Sequence, residues 1–126
     1  MLAVVQILVV LAGLVHCLIF VMEAIRFRDP KVHQGVFRVP AEDLEAARPW
    51  ALNQGFYNLF LAIGAFAGAA LVRCEPPAGW ALIIMSCGSM LAAALVLVLG
   101  DRSYAAAALK QGSLPALALL AALTQL

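Results

Sequence analysis

His16 and Glu23 are the ionisable side chains of the first apolar stretch in a chain of 126 residues. Groups of this kind are expensive to hold in hydrocarbon, and where they occur they mark candidate functional sites. They stand two turns of α-helix apart, so both project from one face. At 1.5 Å of rise per residue from Arg26, Glu23 lies ~4.5 Å and His16 ~15 Å along the helix. A second group opens the next apolar stretch, in the run Trp50-Ala51-Leu52-Asn53-Gln54-Gly55-Phe56-Tyr57-Asn58. There Asn53 and Tyr57 share a face, as do Gln54 and Asn58, by their i,i+4 spacing. A third candidate is Gln111, ~10 Å below Tyr104. Pro115 has no N–H, so the carbonyl of Gln111 loses its usual donor. The chemistry these types support is proton transfer, with His16 or Glu23 as acid or base. Tyr57 is the third candidate catalytic residue, and Asn53, Gln54, Asn58 and Gln111 are candidate ligand-orienting residues. Lys110 is read as snorkelling back to the interface.

The elements that must carry these groups follow from composition. Apolar residues make up 65% of the chain and charged residues 12%. Soluble domains average about 45–50% and about 25%. The excess excludes a typical water-soluble globule, and the low charge excludes a disordered chain. The net charge of +1 gives no electrostatic case for nucleic acid. Nine of the 15 charged residues crowd into Arg26 to Arg48, and residues 1–22, 49–72, 76–100 and 111–126 carry none. About 20 apolar residues cross a bilayer core as a helix. Spans are therefore predicted at about 2–25, 50–72, 80–100 and 104–125, filling one integral membrane domain of residues 1–126. The absence of period-2 alternation argues against a membrane β-barrel. The fold class is an all-α transmembrane four-helix bundle. In the first loop, Ala41 to Arg48 follows Pro40, opens with acids and ends with a base, which predicts a short amphipathic surface helix there.

The first helix is read as retained rather than as a signal peptide, because its start has no Lys or Arg and its apolar run is too long. Cys17, Cys74 and Cys87 show no paired spacing and read as small packing residues, and no metal or cofactor is expected. Loop 1 holds Arg26, Arg28, Lys31, Arg38 and Arg48, loop 2 holds Arg73, and loop 3 holds Arg102. The positive-inside bias puts loops 1 and 3 in the cytoplasm and both termini outside, in a multi-pass protein of the plasma (inner) membrane. Trp50, Trp80 and Tyr104 are placed as interfacial aromatics. Gly64 and Gly68 form a GxxxG pair, which serves either packing within the bundle or a homodimer seam.

The candidate polar residues all fall in the half of the bilayer below loops 1 and 3, whereas the opposite half holds little beyond Gln6, Ser86 and Thr124. One shared, one-sided pocket accounts for this. The plainer alternatives are amides linking helices by single hydrogen bonds and Glu23 pairing with Arg26 at the interface. The His and Glu of helix 1, the Asn53 to Asn58 run and the Gln-Gly with its following Pro in helix 4 resemble a family. It is that of small bacterial four-helix membrane proteins catalogued as a domain of unknown function. The resemblance spans essentially the whole chain. It implies a multi-spanning bacterial membrane protein and supplies no substrate, reaction or cofactor. The four-helix small multidrug transporters are a weaker likeness, since loop 1 here is long and Glu23 lies near the interface.

Three functions are weighed. The first is a pocket binding a small or lipid-like molecule, with isomerase-like acid/base chemistry as its enzymatic form. The second is proton-coupled transport, and the third a partner subunit or homo-oligomer using Gly64 and Gly68. Besides such a ligand, the bilayer itself is the expected partner.

Overall fold

The protein is described over residues 1–126 by a computed structural model. Every regular element is helical. Helix α1 runs Leu2–Phe20 and continues into a π-helical turn, Val21–Ile25. A short α2 spans Pro30–His33, α3 spans Leu44–Leu71, α4 spans Pro76–Gly100 and α5 spans Ala105–Ala122. Four segments are long and apolar enough to cross a membrane: Leu2–Ile25, Ala41–Leu71, Pro76–Gly100 and Arg102–Ala122.

Loop 1 differs from the sequence-based expectation. The segment Ala41 to Arg48 is not a separate surface helix. A 3-10 turn, Ala41–Asp43, leads directly into α3, which begins six residues before Trp50. Glu42, Asp43 and Glu45 crowd this start, where the helix dipole favours negative charge. Pro49 lies inside α3, in its second turn, and costs only the bond to the Glu45 carbonyl. The helix that loop 1 does contain is α2, with Pro30 in its first turn and Asp29 as its cap.

By contact density the chain forms two units. The first comprises residues 1–15 and 61–126. It is a four-helix bundle of the first part of α1, the second half of α3, α4 and α5. Its core joins Val5, Val9 and Ala12 of α1 to Ala65 and Ala69 of α3, with Val72 just beyond the end of α3. Ile83, Cys87 and Met90 of α4 and Ala118 and Ala122 of α5 complete it. The spacing within each helix is three or four residues, as one buried stripe requires. Between membrane helices the attraction comes from close packing rather than from exclusion of water, so small residues belong at the contacts. Gly64 and Gly68 illustrate this: a Cβ at Gly64 would strike Ser86 Oγ, and one at Gly68 would sit 2.9 Å from Ile83 N and Cγ1. Both glycines thus pack against α4 within the bundle.

Short connections hold neighbouring helices antiparallel. Glu75 N and Cys74 N both donate to Leu71 O, at 2.8 and 3.1 Å, closing the turn into α4. Asp101 Oδ1 accepts from Ser103 N at 2.9 Å and starts the turn into α5. Gln6 of α1 crosslinks the unit, donating to Ala69 O at 2.7 Å and accepting from Arg73 Nε at 2.9 Å. Gln6 is thereby tied to two groups at the end of α3. Gln111 also belongs to this unit, on α5, and is half-buried.

Because the Gly68 contact involves the backbone of α4, relaxation there is costly. Gly68→Leu should destabilise the bundle by about 1–3 kcal/mol, the usual cost of overpacking. A lower thermal midpoint in detergent, followed by Trp80 fluorescence, checks this, and an unchanged midpoint contradicts the seam.

Candidate functional site

The second unit, residues 16–60, carries every sequence-predicted site residue except Gln111. Its scaffold is loop 1, which folds on itself. Asp29 Oδ1 accepts from Lys31 N at 3.0 Å, and Asp29 Oδ2 accepts from Arg26 Nη2 at 2.9 Å. The Lys31 amide first, and Arg26 after it, hold the Asp29 carboxyl below the ordinary carboxylate range. The centre of the loop is His33, buried beside Phe27 with ring centroids 6.3 Å apart. Its Nδ1 meets Val39 O at 2.7 Å, while Val39 N donates to His33 O at 2.6 Å. A carbonyl only accepts, so Nδ1 carries the proton. This double link spans Arg38, whose φ of 58° puts a non-glycine residue in the left-handed region. That conformation costs about 1–2 kcal/mol and persists where surrounding bonds fix it. His33 was not singled out from sequence, because it lies in a charged loop with no periodic signal.

Above this loop, α1 ends in the π turn. Arg26 N donates to Val21 O at 2.8 Å, a bond across five residues instead of four. The wider turn rotates less per residue, so Glu23 is offset from the face that straight α-helical spacing would give it relative to His16. Turns of this kind often sit at functional sites. Glu23 is half-buried and Gly55 of α3 lies directly against it: a Cβ on Gly55 would come 3.0 Å from Ala24 Cβ and 3.1 Å from Glu23 Cβ. Glycine is what lets the two backbones approach.

One turn along α3, Asn58 Nδ2 donates to Glu23 Oε2 at 3.0 Å and to Gln54 O at 3.0 Å. Both neighbours are acceptors, so the amide can only be oriented with its nitrogen toward them. Its two protons are thereby committed, and Asn58 Oδ1 remains an acceptor. Arg26, the partner that the plainer alternative gave Glu23, turns instead to Asp29. Arg28 and Arg48 approach Glu45, at 3.7 and 3.6 Å. No Lys or Arg pairs with Glu23.

Beside the pair, Phe20 meets Phe56 edge to face at 5.2 Å, and Phe60 lies beside both Phe56 and Tyr57 at 6.2 and 6.4 Å. Such ring pairs contribute about 0.5–1.5 kcal/mol each beyond their buried area. The Phe20–Phe56 pair joins α1 to α3, and the other two pairs lie within α3.

Of the residues expected to converge, the structure brings together Glu23 and Asn58. Gln54 contributes its backbone carbonyl. The side chains of Asn53, Gln54 and Tyr57 stand on the exposed side of α3, with Tyr57 58% exposed. His16 is buried in α1 and already engaged.

Two substitutions test this geometry. Asn58→Ala should cost about 0.6–2 kcal/mol, the range for a hydrogen bond between membrane helices. Thermal unfolding in detergent gives that number, and no loss would show the bond to be inert. His33→Ala leaves Val39 O without its donor, a loss of about 1–3 kcal/mol. Trypsin should then cleave after Arg38 much faster than in the parent chain, and an unchanged rate would contradict the lock.

No curated protein and no solved structure matches the chain. A family model does, over residues 10–123, a range that takes in the second half of α1, the other three long helices and both halves of the Glu23–Asn58 bond, and the chain belongs to that family, described as Protein of unknown function (DUF1304).

Proposed function

We propose that this is a multi-pass protein of the plasma membrane, with loops 1 and 3 cytoplasmic, and that the Glu23–Asn58 pair binds the polar part of a small or lipid-like molecule. The observation that carries the reading is the 3.0 Å bond between Asn58 Nδ2 and Glu23 Oε2 inside two span-forming helices. A carboxyl in a span is costly unless its partners repay it. Here the chain supplies one amide and no cation, so Oε1 and a second lone pair of Oε2 are left for a ligand. Asn53, Gln54 and Tyr57 follow α3 toward loop 1 and offer exposed polar contacts on the path to that pair.

In its catalytic form the site takes a proton from a bound substrate at Glu23, with Asn58 positioning the carboxyl. His16, buried and engaged, is the lesser acid/base candidate. Such chemistry requires a substrate atom within about 2.6–3.2 Å of Glu23. A carrier would need access from both sides of the bilayer around a midplane site. Glu23 and the polar residues of α3 lie toward the loop 1 end of the spans, which favours a one-sided binding site over transport.

The test uses delipidated full-length protein and total polar lipid extracted from the cells that produced it. Added extract should raise the thermal midpoint of the parent chain. A ligand at about 100 times its Kd contributes about 2.7 kcal/mol. Glu23→Gln should abolish the increase. A midpoint that does not move, or that moves equally in the variant, overturns the proposal.

A further inference from the structure

We infer that the ligand group received at Glu23 is an ammonium cation, a proposal that rests on the binding site proposed above and names its chemistry. Three observations lead there. The first is the polarity of the site. Asn58 spends both amide protons on Glu23 Oε2 and Gln54 O, so what the pair presents to a third party is Asn58 Oδ1 and the remaining lone pairs of the carboxylate, all acceptors. A ligand that offers only acceptors, such as a phosphate or a carboxylate, finds no donor on either residue. The second is charge. Glu23 is the one Asp or Glu between Leu2 and Ile25, and the chain gives it no cation. The nearest guanidinium in sequence, that of Arg26, is held by Asp29 at 2.9 Å, and those of Arg28 and Arg48 lean on Glu45. A carboxylate at the edge of hydrocarbon is stabilised by an opposite charge, and no Lys or Arg of the chain supplies one here.

The third observation is access. Phe20 and Phe56 join α1 to α3 beside the pair, with ring centroids 5.2 Å apart. Gly55 brings the backbones together beside Glu23. Glu23 lies two residues from the loop 1 end of its span, and the ligand arrives from that end, where ammonium-bearing headgroups and free amines are found. An ammonium carries up to three N–H donors, enough to reach Glu23 and Asn58 Oδ1 together, and hydrogen bonds between charged partners are about twice as strong as neutral ones. Both a lipid headgroup amine and a soluble alkylamine offer this chemistry.

Thermal midpoints of the full chain in detergent test the inference, with hexylammonium chloride, hexanol and sodium chloride as probes. Hexylammonium should raise the midpoint, whereas hexanol and an equal concentration of sodium chloride should not. Glu23→Gln, which places amide donors against the incoming N–H groups, should lose the shift. Nanodiscs identify the source. If the amine is lipid-borne, phosphatidylethanolamine should raise the midpoint over phosphatidylglycerol and blunt the hexylammonium shift. If it is soluble, the hexylammonium shift should be the same in both bilayers.

Equal shifts with hexanol or sodium chloride, or a shift that survives Glu23→Gln, overturn the inference. If the lipid extract stabilises through Glu23 while hexylammonium does nothing, the binding site stands and its ammonium chemistry fails. If neither probe nor extract stabilises the chain, both fail.

Discussion

Hydrocarbon offers no hydrogen bonds, and each feature of this chain answers to that constraint. Backbone groups there must be satisfied within the protein, which leaves continuous helices as the form available to its apolar stretches. The helices persist even where their sequence opposes them. Pro49 remains inside α3 and Pro115 inside α5. Where α1 departs from α-helical geometry, the π turn still closes its bond from Arg26 N to Val21 O. The same constraint acts on side chains. Gln6 is tied to Ala69 O and Arg73, Asn58 to Glu23 and Gln54 O, and no buried side-chain nitrogen or oxygen lacks a partner.

Close approach between helices is the second requirement, and small side chains meet it. Gly64 and Gly68 admit α4, and Gly55 admits the end of α1. Ala65, Ala69, Ala118 and Ala122 fill the bundle core alongside Val, Ile and Met. The polar pair at the end of α1 depends on this, because Asn58 reaches Glu23 only if the α3 backbone can come within contact distance of residues 23 and 24. A packing residue and a candidate site residue thus act through the same helix pair, one turn apart.

Loop 1 contributes by what it withholds. It carries most of the basic residues, yet Arg26, Arg28 and Arg48 are engaged by Asp29 and Glu45. His33, bonded to Val39 across the left-handed Arg38, fixes the loop's path between α2 and α3. The carboxyl of Glu23 is thereby left with an amide and no guanidinium. That combination is the physical basis for reading the place as a binding site rather than as an interfacial ion pair.

The sequence by itself determined the class of protein and the membership of its helices. Long uncharged runs separated by clustered charge allow one kind of structure, because length and hydrophobicity act locally and additively along a span. The Asn53 to Asn58 run and Glu23 were legible as candidates for the same reason: a polar residue in an apolar run is conspicuous wherever it points. Pairing was decided by tertiary structure. That Asn58 rather than Arg26 meets Glu23 depends on the phase shift of the π turn and on the glycine opposite it, neither of which periodicity encodes. The outward stance of Asn53 and Tyr57 depends on which face of α3 packs, and two faces of that helix carry amides. The fusion of Ala41 to Arg48 with α3 follows from Pro49 falling in its second turn, where the missing hydrogen bond costs little. Charge pattern alone cannot distinguish such a fused turn from a free surface helix, because both place the same acids at a helix start.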